Sequence, residues 1–155
     1  DILREVEKAA HLLEKDFKIY CDVWSVTSFS ELRRESLETD RLNELNPEKK
    51  RKSSYLEELL NKQEGPFIAA TDYMKMVPDQ IQKWVPGIYK TLGTDGYGRS
   101  DSRAALREHF EVDARFIVLS TLNALAEKGD IEKRDVVKAI KKYKIDPKKI
   151  SPEKL

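Results

Sequence analysis

Three short apolar segments, each followed by a helical pattern, constrain this chain's fold more than any other feature. Residues 18–28, 67–71 and 88–92 have the composition of strands, and apolar residues at helical spacing fill the intervals between them. Segment 18–28 is an almost continuous apolar run, which is typical of a strand covered on both faces. Because strands that alternate with helices favour a parallel sheet between helical layers, we predict an α/β fold.

The helices are predicted from apolar spacing and from capping residues. Ser28 or Ser30 can cap the second helix, while Asp113 caps a longer one that Gly129 ends. The two prolines after Ile145 predict a surface tail. Asp72 begins a turn into a helix through Ile81 and Trp84, with Pro78 near its start. The other predicted helices cover 2–16, about 31–45, 55–61, 103–110, 114–127 and about 131–143.

Composition limits the classes of function. The 155 residues fit one domain, and 29 basic against 28 acidic residues leave a net charge of +1. Because nucleic-acid binders and membrane-surface proteins usually carry a strong basic field, we predict neither partner. No apolar run approaches the about 20 residues that a membrane span needs. The single cysteine excludes an internal disulfide and fits a reducing compartment, so we expect a cytoplasmic protein.

The histidines and the cysteine of this chain do not indicate a metal site or a nucleophilic catalytic site. The two histidines, His11 and His109, lie on separate predicted helices without a clustered second ligand, whereas zinc or iron sites need three or four convergent ligands. Cys21 lies inside the predicted strand 18–28, where a buried thiol is an inert apolar group. We therefore predict no metal site and no catalytic residue.

The glycine loop after the third predicted strand is the most distinctive segment. Its glycines are spaced G-x-x-G-x-G over residues 93–98, and no G-K-[ST] follows, so it is neither a dinucleotide fingerprint nor a Walker loop. A tight turn is favoured over a phosphate site. Arg99 and Asp101 can pair with each other or reach a neighbouring domain.

Two carboxylates follow predicted strands directly. Asp72 comes after the second predicted strand and Asp95 after the third. Residues at the carboxyl ends of strands in open α/β sheets often line ligand crevices. Turn or helix capping is the alternative role for both, and the sequence favours it.

Four segments together carry a family resemblance. DVWSVTSFSELRRE (22–35), AATDYMK (69–75), LGTDGYGRSDSRAALREHFEVD (92–113) and AIKKYKID (139–146) resemble the C-terminal domain of homodimeric pyruvate dehydrogenases, thiamine-diphosphate enzymes of the transketolase superfamily. The resemblance extends from about Ile2 to Ile145. Another thiamine enzyme, such as a transketolase or a different 2-oxoacid dehydrogenase, and a stand-alone interaction module with this fold are the alternatives.

The resemblance implies a three-layer α/β/α sandwich with a mixed five-stranded sheet. The three strands predicted here would be the last three of five, and the family's first strands, one of them interior, precede the helix at Ile2. We therefore expect an N-terminally truncated domain over residues 1–146, a surface tail over 147–155, and a fragment of a larger folded product. In this family the domain packs against the remaining domains and contributes to a homodimer.

The resemblance also implies what the parent enzyme does. It decarboxylates pyruvate on thiamine diphosphate held by magnesium, and passes the acetyl group to the lipoyl group of the dihydrolipoyl acetyltransferase component. Its G-D-G…N metal-diphosphate motif and its activating glutamate lie in other domains, so this fragment is expected to be inactive and to bind no cofactor. The interface candidates are Asp72, Tyr73, Asp95, Tyr97, Arg99 and Asp101.

Overall fold

The computed structural model describes residues 1–95 and 102–154. The two strands are β1 (Phe67–Ala70) and β2 (Tyr89–Leu92). The helices are α1 (Ile2–Phe17), α2 (Phe29–Leu45), α3 (Tyr55–Leu60), α4 (Met76–Asp79), α5 (Arg103–His109), α6 (Ala114–Lys128) and α7 (Lys133–Lys142). Short 3-10 turns cover Gln82–Trp84 and Pro152–Lys154.

The sheet is parallel. Phe67 of β1 is paired with Tyr89 of β2, and Ala70 with Leu92. The pairing continues past β1, where the Thr71 N–H donates to the Leu92 carbonyl at 3.0 Å. A parallel pair needs a crossover connection, and residues 71–88 supply it through α4. The α/β fold class is therefore confirmed.

One helical layer consists of α1, α6 and α7. Helix α6 packs on α1, on α7 and on both strands. Leu13 of α1 and Val118 and Leu122 of α6 are almost wholly buried at the centre of this core, and Ile68 packs against it from β1. This apolar core stabilises one face of the sheet.

The opposite face is covered by α2, α3 and the connection after β1. Its core contains Leu56 and Leu60 of α3 together with Ile81, Trp84 and Val85. Asp40 joins α2 to the connection after β1 within this layer, since its carboxylate accepts hydrogen bonds from Trp84 Nε1 at 2.9 Å and from Lys83 Nζ at 3.1 Å. Burial would raise the pKa of Asp40, but these hydrogen bonds outweigh it and lower that pKa.

Local signals placed most helix ends correctly. The Ser28 side chain accepts from the Glu31 N–H at 3.1 Å, and Asp113 accepts from the N–H groups of the first turn of α6. Gly129 ends α6 with φ 92°, a left-handed conformation that favours glycine. The short helices α3 and α5 and the strands β1 and β2 also lie within two residues of their predicted bounds.

The predicted strand over residues 18–28 is wrong. These residues follow α1 as irregular backbone, with Tyr20 78% and Trp24 45% exposed. Cys21, predicted to be buried, is exposed as well. A strand needs a hydrogen-bonded neighbour, and none among residues 1–95 and 102–154 pairs with this segment. The apolar pattern shows that these side chains can be buried, but it does not determine whether a strand is present for the segment to pair with.

The helix predicted through Ile81 and Trp84 is interrupted, since only α4 and the 3-10 turn at Gln82–Trp84 are helical. The turn predicted at Asp72 is present and is held by hydrogen bonds to the residues after β2. The Tyr73 carbonyl accepts from the Thr94 N–H at 2.8 Å, and the Asp72 carbonyl accepts from the Thr94 hydroxyl at 2.8 Å. These carbonyls are thereby engaged by β2's turn instead of by an intrahelical partner.

Candidate interaction site at the carboxyl edge of the sheet

The turns that follow β1 and β2 are joined to each other at one edge of the sheet. Besides the two bonds to Thr94, the Lys75 N–H donates to Asp95 Oδ1 at 2.8 Å. The Tyr73 N–H donates to the Thr71 hydroxyl at 3.1 Å. Asp95 thus caps the turn that leads into α4, and the two loops form one hydrogen-bonded unit.

Gly93 is required where these turns meet. A Cβ atom at this position would lie 2.6 Å from the Tyr73 carbonyl oxygen and 2.8 Å from the Lys75 nitrogen. Both are backbone atoms, which cannot move aside as a flexible side chain can. Glycine therefore permits the close approach of the two turns.

Arg107 of helix α5 holds the Asp72 carboxylate in place, so that α5 joins the two turns at this edge. Its Nε donates to Asp72 Oδ1 at 3.2 Å and its Nη2 to Oδ2 at 3.0 Å. The Arg107 side chain is only 9% exposed, whereas that of Asp72 is 44% exposed. This two-point pairing matches the planar guanidinium to the carboxylate and holds α5 against the turn after β1.

The outer surface of this edge is apolar. Three apolar residues that are neighbours in the sequence are exposed here: Tyr73 is 73%, Met74 54% and Met76 70% exposed. We call Tyr73, Met74 and Met76 the edge patch. Methionine and aromatic side chains are adaptable contact groups, and such residues are enriched in protein interfaces.

The structure unites some of the predicted interface residues and says nothing of others. Asp72, Tyr73 and Asp95 lie together at this edge. Tyr97, Arg99 and Asp101 lie outside the described residues, as does most of the glycine loop. The sequence reasoning missed Met74, Met76 and Arg107.

Two tyrosines away from this edge, Tyr143 and Tyr89, have raised pKa values because of burial and nearby carboxylates. Burial, followed by the hydrogen bond to Asp16, raises the pKa of Tyr143, which donates to Asp16 Oδ2 at 2.7 Å. Burial, followed by the charge of Asp79, raises the pKa of Tyr89. These groups tie helices and strands together.

The described residues show neither a metal-binding cluster nor a membrane-spanning helix. Among residues 1–95 and 102–154, no three histidine, cysteine, aspartate or glutamate side chains are grouped so as to hold a metal ion. Within the same ranges, none of the helices combines the length and the apolar character that crossing a bilayer requires. The chemistry at the edge is that of packing and hydrogen bonding.

These features define a class: an α/β domain with helices on both faces of a parallel two-stranded sheet and with exposed apolar side chains at one edge of that sheet. Residues 1–113 match the family model described as the transketolase-like TK C-terminal domain. The chain belongs to this family.

Curated relatives extend the match along nearly the whole chain. The chain is 59% identical to the pyruvate dehydrogenase E1 component of Pseudomonas aeruginosa, 46% to that of Escherichia coli K12 and 44% to that of Haemophilus influenzae. Each alignment covers 152 residues and 97% of this chain. The chain spans only 17% of the length of these relatives.

Proposed function

We propose that this chain is the non-catalytic C-terminal domain of a pyruvate dehydrogenase. The observation that carries the proposal is the 59% identity to a pyruvate dehydrogenase E1 component over 97% of the chain. The domain packs and dimerises instead of performing chemistry. Its bounds are residues 1–146, with 147–155 as a surface tail whose Lys149 is bonded to the Glu108 carbonyl at 2.8 Å.

The cofactor belongs to the rest of the enzyme. Thiamine diphosphate with magnesium needs free carboxylate oxygens and phosphate-binding N–H groups. At the edge described here, Asp72 is engaged by Arg107 and Asp95 Oδ1 by the Lys75 N–H, which is a poor fit for a magnesium diphosphate. No step of the reaction is therefore assigned to this chain.

The edge patch is the surface through which the domain contacts the remaining domains and the homodimer partner. It combines exposed apolar side chains with a backbone whose two turns meet closely at Gly93 and are held by the Arg107–Asp72 pair. A backbone that is already ordered before binding lowers the cost in conformational entropy of forming an interface. Tyr97, Arg99 and Asp101, which follow Asp95 in the sequence, are the further candidates for the proposed interface.

The full-length enzyme acts in the cytoplasm and transfers its acetyl group to the lipoyl group of a dihydrolipoyl acetyltransferase. The test is pyruvate-dependent ferricyanide reduction by the full-length protein with thiamine diphosphate and magnesium. We expect activity that requires both cofactors, and no activity from residues 1–155 alone. A full-length protein inactive with pyruvate but active with another 2-oxoacid or a ketose phosphate would overturn the assignment.

The role of the edge patch needs a second experiment. Met74→Glu and Met76→Glu in the full-length enzyme should shift the dimer toward monomer in mass photometry and lower activity in parallel. The matched control is Val137→Glu on α7, which changes another exposed apolar residue, 48% exposed, away from this edge. Arg99→Ala tests the adjoining loop, and unchanged dimerisation and activity would remove it from the interface.

A further inference from the structure

Helix α7 concentrates positive charge on one exposed face. It contains five basic residues and one acidic residue, although the whole chain has a net charge of only +1. Four of the basic residues are exposed, and at 3.6 residues per turn they fall within about 140° of one another. These four, which we call the basic face, are Lys133, Arg134, Lys138 and Lys141. Clustering of this kind gives one side of a nearly neutral domain a positive potential.

Most of the charge on the basic face is not neutralised within the domain. Arg134 is paired with Glu132 at 2.7 Å. Within the part of the chain that the structure describes, no carboxylate forms a salt bridge with Lys133, Lys138 or Lys141. These three ammonium groups are therefore available to carboxylates of a partner.

An apolar groove lies beside this face, between α6 and α7. Its volume is about 260 Å³, and its apolar lining includes Ala126 of α6 and Val136 and Ile140 of α7. Lys133 also lines the groove, whereas the Glu127 carboxylate there is engaged by the Lys90 ammonium at 2.7 Å. The groove therefore combines an apolar lining with a basic rim.

The size and charge of the groove specify the kind of partner that fits it. Small-molecule sites usually hold about 300–1,000 Å³ and bury most of the ligand, whereas this groove is smaller and open to solvent. A space of this size between two helices suits an apolar side chain of a peptide, as in helix-in-groove recognition. The lysines at the rim favour carboxylates on the rest of that peptide, because complementary charge steers the encounter and like charge opposes it.

We propose that the α6–α7 groove and the basic face form a docking site for an acidic helical segment of another protein. The segment places an apolar side chain in the groove and carboxylates against Lys133, Lys138 and Lys141. This inference does not rest on the assignment as a pyruvate dehydrogenase, since it uses only the charge and shape of α6 and α7.

A nucleic acid and a membrane are poorer matches to the same face. Among residues 133–142, no aromatic side chain is exposed for stacking on bases. A helix that lies in a membrane surface needs a broad exposed apolar face, but Val136 and Ala139 of α7 are buried in the core. Lysine charges around a small apolar groove match an acidic peptide better.

Fluorescence anisotropy with a labelled model peptide tests the inference on the full-length protein. The probe is an amphipathic helical peptide with leucines on one face and glutamates beside them. We expect saturable binding with a Kd below about 100 μM. Replacing the glutamates by glutamine, or the leucines by serine, should each weaken binding at least about tenfold, because the site needs both charge and an apolar anchor. Raising the ionic strength from about 0.05 to about 0.2 M should also weaken binding, because salt screens exposed charges.

A pair of double variants locates the site. Lys138→Glu with Lys141→Glu should weaken binding of the acidic peptide at least about tenfold, because two attractive charge pairs become repulsive. The matched control is Lys49→Glu with Lys50→Glu, which reverses two exposed lysines in the loop after α2 and should change the Kd less than about twofold.

Several results would overturn the inference. These are no saturable binding of the acidic peptide, equal binding of the glutamine peptide, or equal effects of the two double variants. Tighter binding to phosphatidylserine vesicles or to duplex DNA than to the peptide would assign the basic face to a membrane or a nucleic acid instead. None of these readouts depends on pyruvate turnover or on dimerisation, so failure here is distinguishable from failure of the proposed function.

Discussion

Arg107 and Asp72, 35 positions apart in sequence, are joined by two hydrogen bonds of 3.2 and 3.0 Å. The pair links α5 to the turn after β1, and so connects the helix beside the glycine loop to the carboxyl edge of the sheet. The guanidinium is buried while the carboxylate is partly exposed. Loss of Asp72 would therefore leave a buried guanidinium without its charged partner, which is costly, whereas the partly exposed carboxylate remains accessible to water.

We expect Arg107→Lys to destabilise the edge by about 1–3 kcal/mol, because an ammonium cannot reproduce the two-point geometry. The partial exposure of Asp72 keeps the loss below that of a fully buried pair. Hydrogen exchange of residues 103–109 in the full-length protein measures it. Arg134→Lys is the control, since the exposed Arg134–Glu132 pair at 2.7 Å should change stability by less than about 0.5 kcal/mol. Equal effects of the two variants would contradict the buried role of Arg107.

Gly93→Ala should destabilise the joined turns by about 1–3 kcal/mol or more, because its Cβ would meet two backbone atoms at 2.6 and 2.8 Å. Faster exchange of the Lys75 and Thr94 amides would report the separation of the turns. Gly87→Asn is the matched control: Gly87 has φ +76° with nothing within 4 Å of an added Cβ, and asparagine tolerates that conformation. A Gly93→Ala protein with unchanged amide protection would refute the close approach.

Tyr143→Phe should remove an acid-sensitive tie between α7 and α1. The hydrogen bond from Tyr143, and then that from Lys142, lower the pKa of Asp16 below its ordinary 3.8. A carboxyl group whose folded pKa is lowered stabilises the fold above its unfolded pKa, and this stabilisation is lost as the pH falls through the folded pKa.

The variant should therefore lose about 1.5 kcal/mol near neutral pH and show a shallower loss of stability below pH 3.8. Local stability of α1 from hydrogen exchange, measured between neutral pH and pH 3, provides the comparison. Tyr55→Phe is the control because the Tyr55 ring is 57% exposed. A Tyr143→Phe protein that keeps the original pH dependence would show that Asp16 gains nothing from the phenol.

The sequence indicated those parts of the fold that local signals determine. Ser28, Asp113 and Gly129 act within a few residues of themselves, and the helix ends they predict are present. Residues 18–28 failed as a predicted strand because pairing depends on a distant neighbour, which no local pattern encodes. The bonds that hold the turn after β1 were also beyond local signals, because Thr94, which donates to the Asp72 carbonyl, lies 22 positions away.

The candidate site was also predicted only in part. Asp72 and Asp95 were found because they follow strands directly, and the capping role that the sequence favoured for Asp95 agrees with its bond to the Lys75 N–H. Arg107 was missed because its pairing with Asp72 is long-range. Met74 and Met76 were missed because exposure of an apolar residue is a property of the packed fold, not of its sequence neighbourhood.

The central claim is that the edge patch is covered by the rest of the enzyme, and methionine oxidation tests it most directly. The chain contains two methionines, and both belong to the patch: Met74 is 54% and Met76 70% exposed. The full-length protein would be treated with hydrogen peroxide, and sulfoxide formation at each residue compared with that of a free methionine peptide. The account predicts oxidation of both residues at least about tenfold slower than the peptide, because buried thioethers are shielded from oxidant. Oxidation of both at the peptide's rate in the intact dimer would contradict it.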